Sequence, residues 1–229
     1  MTDADPNLDR LEEAATKLGD MLAELVLVGG CATGLLVTDS GAAPIRPTID
    51  VDLVVDLVTY SEFHLFEKRL RALGFEQRQG VDQPICRWWH DRLCVDIMPV
   101  GEFMGFTNPW YASAFTTART ATLPSGARIR HVDGPHFLAT KLAAFESRGA
   151  HDPVTSHDAE DVVLVLDGRP EIESELACAD SSLRGAVARG LRLLVEDTLF
   201  CEGLEGYFDR RVAIARAAAV RALMERLSG

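Results

Sequence analysis

The sequence predicts a mixed α/β fold, an α+β arrangement in which a sheet flanked by helices is followed by a helical C-terminal part. Short apolar runs rich in Val, Ile and Leu and bounded by Gly, Pro or Asp ("LVLVGG", "IDVDLVV", "RLCVDIMPV") all lie before residue 133. From there on, "GPHFLATKLAAFESRG", "SHDAEDVVLVLDG", "SLRGAVARGLRLLVED" and "DRRVAIARAAAVRALMERL" favour helix. A chain of 229 residues buries a sizeable core, as one domain with an appendage or as two small domains. The change of composition near residues 133–135 divides it into residues 1–133, which carry the strands, and residues 134–229, which are helical.

Taken in order, residues 7–24 place Leu8, Leu11, Ala14, Ala15, Leu18 and Leu22 at helical spacing, so a helix comes first. "LVLVGG" then reads as a short buried strand ending in two glycines, and "CATGLLVT" starts a helix after it. "DSGAAPIRP" has the composition of a loop. It delivers the chain to the strand "IDVDLVV". "SEFHLFEKRLRALGF" is an amphipathic helix with Ser61 as its N-cap and Gly74 as its stop. "ICRWWH" and "RLCVDIMPV" form an antiparallel hairpin joined at His90-Asp91, and "TARTATLP" and "ARIRHV" a second one around Pro124-Ser125-Gly126.

The totals narrow the function classes. Lys plus Arg (23) against Asp plus Glu (35) gives a formal charge of −12, which argues against a general nucleic-acid coat but allows a local basic patch. Five scattered cysteines without a C-x-x-C pair exclude a zinc knuckle and point to a reducing compartment. No run approaches the roughly 18 apolar residues needed to span a bilayer, and the acidic start has no positively charged leader, so a cytoplasmic protein is expected.

The chemistry concentrates in "RPTIDVDLVVD". On a strand, Asp50 and Asp52 share one face because side chains alternate, and two like charges there call for something positive between them. A divalent cation held by oxygen ligands is the plainest candidate. A bare Asp-x-Asp is more often a strand end that exposes two acids to water, so the surroundings decide. "CVDIMP" places Asp96 in the middle of another apolar strand, where an acid is costly unless paired, protonated or metal-bound. Three carboxylates on neighbouring strands make a cage for two Mg²⁺ ions about 3.5–4 Å apart, as in phosphoryl and nucleotidyl transfer; Mn²⁺ would serve as well. Gly29-Gly30, at a strand-to-helix turn, allows backbone N–H groups to approach a phosphate.

This order of strand, Gly-Gly, helix, Asp-x-Asp strand and third Asp resembles the nucleotidyltransferases of DNA-polymerase-β type. Within them the chain looks most like the AbiEii and MenT-type group, the toxin halves of abortive-infection and toxin–antitoxin pairs. The residues that carry the resemblance are "VGGCATG", "RPTIDVDLVV", "CVDI", "FLATKLAAFESRG" and "SHDAEDVVLVLDGR", spanning residues 28–169. The resemblance implies a nucleotidyltransferase fold, with a catalytic domain over residues 1–133 and a helical domain at 134–229 that contributes to the nucleotide site. It implies Asp50, Asp52 and Asp96 as metal ligands, Lys141 as a contact of the nucleoside triphosphate, and Asp158 with Asp161 completing the pocket. An NTP donor, the 3′ end of tRNA as acceptor and a cognate antitoxin protein follow from the same likeness. A small hydroxylated acceptor, as in antibiotic-modifying nucleotidyltransferases, is the alternative, and a non-catalytic nucleotide- or partner-binding relative is a third. Two departures stand out. The gap between Gly30 and Asp50 is long, so "TDSGAAPIRP" is an insertion looping over the site, and His136 stands where the family has Ser.

Each residue also has a plainer reading. Lys141 is otherwise a solvated lysine on an amphipathic helix. Arg46 and Thr48 are otherwise loop residues, although a guanidinium beside the carboxylates suits a phosphate bidentately. Asp158 and Asp161 share a helix face, where acids in a first turn favour the dipole with no function at all. His151 and His157 match no zinc spacing. Trp88, Trp89 and Trp110 read as core and rim. Arg184, Arg189, Arg192, Arg210, Arg211, Arg216, Arg221 and Arg226 either track an RNA or pair with nearby acids. A haloacid-dehalogenase phosphatase needs a buried strand where "PIRPT" stands, and a glycosyltransferase would require neither Asp96 nor the Lys141 helix.

Overall fold

The apolar run after Asp50 becomes the second strand of a six-stranded mixed sheet. The computed structural model of the chain describes residues 5–78, 80, 84–149 and 152–229. In chain order the elements are α1 (Leu8–Leu18), β1 (Leu25–Leu27), α2 (Thr33–Leu36), β2 (Val51–Val55), α3 (Tyr60–Ala72), β3 (Arg87–His90), β4 (Leu93–Pro99) and α4 (Tyr111–Thr117). There follow β5 (Arg119–Thr122), β6 (Arg128–His131), α5 (Gly134–Ala144), α6 (His157–Gly168), α7 (Ile172–Cys178), α8 (Ser181–Glu196), α9 (Thr198–Gly203) and α10 (Ala213–Ser228). The strand order is β3-β4-β2-β1-β6-β5. The expected class, a mixed sheet with a helical C-terminal part, is the one observed.

Two compact units divide the chain, and it passes between them more than once. Pro6–Ala32 and Pro47–Asp133 form the sheet unit; Thr33–Arg46 and Gly134–Gly229, with Asp5, form the helical unit. Residues 33–46, which the sequence places with the strands, are therefore part of the helical unit.

In the sheet unit, β2 runs parallel to β4 and antiparallel to β1, while β6 runs parallel to β1. The chain leaves β2, forms α3, makes the β3–β4 hairpin and returns parallel to β2. Such a return needs a crossover of a dozen or more residues, which α3 supplies. Every residue of β4 is buried, so the strand reads as a continuous apolar run interrupted only by Asp96. Leu11, Ala14, Ala15 and Leu18 of α1 and Phe63, Phe66 and Leu70 of α3 are the buried faces of their helices.

Three local expectations are corrected. The first helix stops at Leu18, where Gly19 adopts φ +53°, and residues 19–24 tighten into a 3₁₀ helix before β1. The N-cap of α3 is Thr59 rather than Ser61. Its side chain accepts from the Glu62 amide while the Glu62 carboxylate accepts from the Thr59 amide, a reciprocal box that Ser61 cannot build because its own third follower is His64. The β3–β4 hairpin turns at Asp91-Arg92, with Asp91 at φ +53°, one residue later than expected. The second hairpin turns where expected, with Gly126 at φ +89° between β5 and β6.

In the helical unit α5 is buried along nearly its whole length, from Gly134 to Leu142, and packs against α6 and α8. A helix apolar on all sides belongs at the centre of its unit. Gly190 of α8 lies close against α5, since a Cβ there would lie 2.7 Å from the Cβ of Leu142.

Candidate functional site

The site builds up from the β1–β2 edge. Val28 donates its amide to the Asp52 carbonyl at 2.9 Å, which carries the β1–β2 pairing one step past the end of β1. Gly29 then turns the chain at φ +63°, a conformation that side chains disfavour by about 1–2 kcal/mol. A Cβ on Gly29 would stand 1.9 Å from Asp52 Oδ2, so the bare glycine is what leaves room for that carboxylate. Gly29→Ala is accordingly expected to displace Asp52 and to destabilise the sheet unit by about 1–3 kcal/mol. Urea unfolding of Gly29→Ala and Gly30→Ala side by side checks this: a Gly29→Ala midpoint equal to the wild type's would remove the argument.

Asp50 lies in a bend one residue before β2. The bend is held from behind. Thr48 donates its amide to Asn7 Oδ1 at 2.8 Å, its hydroxyl lies 3.1 Å from the Asp50 carbonyl, and the Cys31 thiol lies 3.3 Å from that same carbonyl. Thr48 is buried, and its hydrogen bonds shape the turn that presents Asp50.

Strand register does the rest. Asp52 and Asp96 are Cα partners across the parallel β2–β4 pair, and Asp96 and Arg87 are partners across the antiparallel β3–β4 pair. Arg87 donates from Nε to Asp96 Oδ1 at 2.8 Å and from Nη2 to Asp96 Oδ2 at 2.7 Å. The same Nη2 donates to Asp50 Oδ2 at 2.5 Å. The positive group that the carboxylates call for is thus supplied by the chain itself. Hydrogen bonds to Asp96 hold the Arg87 guanidinium above even its ordinary high value, with the Asp96 and Asp50 charges reinforcing them against burial. Burial pushes the Cys86 and Cys94 thiols up to about 12, with the nearby Asp96 charge adding to it, so neither serves as a thiolate nucleophile.

Among the described residues no group of three or more His, Cys, Asp and Glu is gathered closely enough to hold a metal as it stands. The donor chemistry nevertheless fits Mg²⁺ or Mn²⁺: carboxylate oxygens only, two of them converging on a single cationic nitrogen. A hard cation would take the position that this nitrogen holds.

The remaining expected residues lie in the helical unit and form a network of their own. Lys141 on α5 sends Nζ to Asp161 at 2.6 Å and to Asp158 at 3.2 Å, both on α6. Ser156 caps α6 by accepting from the Ala159 amide, which fixes Asp158 in the first turn. Arg148 donates to both Asp158 oxygens, at 3.0 and 3.3 Å. Arg46, expected as a phosphate contact, forms ion pairs with Glu160 at 3.2 Å and Asp161 at 3.5 Å. The reason is that Arg46 belongs to the excursion of the chain that joins the helical unit. Lys141 is correspondingly buried rather than solvated on a helix surface. Burial raises the Asp158 carboxyl, but the Lys141 charge and the Arg148 hydrogen bonds outweigh it and hold the group below its ordinary value.

The C-terminal arginines are largely engaged within their unit. Arg211 pairs with Asp209, Arg216 with Asp167 and Asp39, Arg221 with Glu225 and Arg226 with Glu173. Arg184 donates to the Ala177 and Ala179 carbonyls, and Arg192 to that of Ser228. Trp88 is core, and Trp89 and Trp110 are half-buried. His157 is exposed and lies 3.4 Å from Glu160; His151 falls outside the described residues.

Sequence reasoning missed Arg87. The signal was present in the hairpin: a turn at Asp91-Arg92 pairs Arg87 with Asp96, whereas a turn at His90-Asp91 would set Ile85 there. It also missed Asn7, Arg148 and Glu160, whose roles depend on distant partners.

No helix among the described residues is long and apolar enough to cross a membrane. No protein-family model matches the chain, and no curated protein is similar to it in sequence. Among solved structures the chain is similar to JHP933 from Helicobacter pylori, with a TM-score of 0.42 and 13% identity, covering 100% of this chain and 93% of that one.

Proposed function

We propose that the chain is a Mg²⁺-dependent nucleotidyltransferase acting in the cytoplasm, which moves a nucleoside monophosphate from an NTP to an acceptor hydroxyl. The observation that supports this reading is the convergence of Asp50 and Asp96 on one cationic nitrogen while Asp52 is in register with Asp96 on the adjacent parallel strand. Two Mg²⁺ ions, when bound, align the α-phosphorus for in-line displacement and stabilise the leaving oxygen. Asp50, Asp52 and Asp96 would hold them, and Asp96, on the attacking side, would help to ionise the acceptor hydroxyl by accepting its proton. The hydroxyl oxygen forms a bond to the α-phosphorus, the bond from that phosphorus to its bridging oxygen breaks, and pyrophosphate leaves. Gly29, without a side chain, leaves the Asp52 carboxylate its place against the turn.

The resemblance favours the 3′ end of tRNA as acceptor, with toxicity restrained by an antitoxin. A second reading, a small hydroxylated acceptor, is favoured by the C-terminal arginines: with most of them committed to acids or carbonyls, few remain to track phosphates. Incubation with Mg²⁺, each labelled NTP in turn and total tRNA, followed by a gel, separates the two. Label on tRNA with the wild type is the expected result. No label with any NTP, alongside turnover on a small hydroxylated substrate, would overturn the RNA acceptor.

A further inference from the structure

The transfer reaction gives no role to Arg87, yet its guanidinium occupies two of the three carboxylates assigned to the cation. Its bidentate bond uses both oxygens of Asp96, and its Nη2 lies 2.5 Å from Asp50 Oδ2 and 2.7 Å from Asp96 Oδ2. A divalent cation held by the Asp50 and Asp96 carboxylates would have to take the place of that nitrogen. Two positive groups cannot both be there. Resting on the nucleotidyl-transfer reading, we infer that Arg87 is the resident cation of the metal-free site and a latch on it, so that the divalent cation gains Asp50 and Asp96 only when Arg87 lets them go.

The arrangement has the parts of such a latch. Without the metal, Asp50 and Asp96 are close enough to share one nitrogen, and their mutual repulsion would otherwise strain the bend before β2. Arginine does not relieve the competition by losing its proton, because a guanidinium stays charged in proteins. It can relieve it by moving. Arg87 opens β3, and its side chain is 18% exposed, so the guanidinium already touches water. A freed guanidinium fork suits the phosphate oxygens of an NTP, so release and nucleotide binding would favour one another.

The test is Mn²⁺ binding to the whole chain without nucleotide, read by calorimetry, for the wild type, Arg87→Gln, Arg87→Lys and, as a site control, Asp50→Asn. Arg87→Gln is expected to bind Mn²⁺ about tenfold or more tightly than the wild type. Arg87→Lys, which keeps the charge, should stay near the wild type, a distinction that a packing role would not produce. A second readout needs no variant. Phenylglyoxal modification of the wild type, mapped by peptide mass spectrometry, should accelerate at Arg87 when Mn²⁺ is added, and it decides the matter if Arg87→Gln does not fold. Asp50-dependent Mn²⁺ binding that is equal or weaker in Arg87→Gln, with unchanged phenylglyoxal reactivity, would overturn the latch and leave the cation site standing. No Mn²⁺ binding by the wild type or by either Arg87 variant would overturn the nucleotidyl-transfer reading and the latch together.

Discussion

Asp50→Asn and Asp52→Asn are each expected to lower nucleotidyl transfer by about 10²–10³-fold or more while the protein stays folded. The loss follows from removing an anionic oxygen donor where the cation must bind. The tolerance of the fold has a separate cause for each residue. Asn is nearly isosteric with Asp, so in Asp52→Asn the new amide would still fill the space over Gly29 that the turn at φ +63° leaves open. Asp50→Asn deletes one of the two carboxylates on Arg87, but the bidentate bond to Asp96 persists and keeps the guanidinium paired. Circular dichroism melts beside the labelled-NTP assay check both halves. Full transfer by either variant would remove the metal assignment.

Lys141→Met is expected to cost about 3–5 kcal/mol of stability, read as a lowered urea midpoint. Its Nζ lies 2.6 Å from Asp161, whose side chain is 2% exposed, and the variant leaves that buried carboxylate only the more distant Arg46, at 3.5 Å. Acid should weaken the same network. The Asp158 carboxyl titrates below its ordinary 3.8 in the fold, so its contribution is fully present above 3.8 and disappears as pH falls through the depressed folded value. Arg148→Ala, which removes two hydrogen bonds to Asp158, should therefore reduce the difference in stability between pH 5 and pH 3. A Lys141→Met protein as stable as the wild type, with only a raised KM for the NTP, would give the lysine to the nucleotide instead, as the family resemblance implies.

The legible parts of the fold were those specified locally. Alternation around Val51, Leu53 and Val55 marked β2, the run from Leu93 to Pro99 marked β4, and Gly126 marked the second hairpin, because side-chain period and turn conformation depend on neighbours a few residues away. Gly29 was legible as a turn, but its closeness to Asp52 was not. That closeness comes from Val28 pairing past the end of β1 with the Asp52 carbonyl. The Thr59 cap of α3 was within reach of the sequence, since Thr59 and Glu62 have the capping-box spacing and Ser61 does not.

The sequence by itself determined that strands come first and helices follow, and that Asp96 is a costly acid in the middle of an apolar strand. It could do so because burying a carboxylate in an apolar strand is unfavourable wherever that strand lies. Only the tertiary structure decided which cation answers each acid. Arg87 rather than Arg46 meets Asp50 and Asp96, because a hairpin turn one residue later brings Arg87 opposite Asp96, and because residues 33–46 depart to the helical unit and carry Arg46 to Glu160 and Asp161. Charge pairing is a matter of a few ångströms in space, and strand register and chain excursions set those distances between residues far apart in sequence.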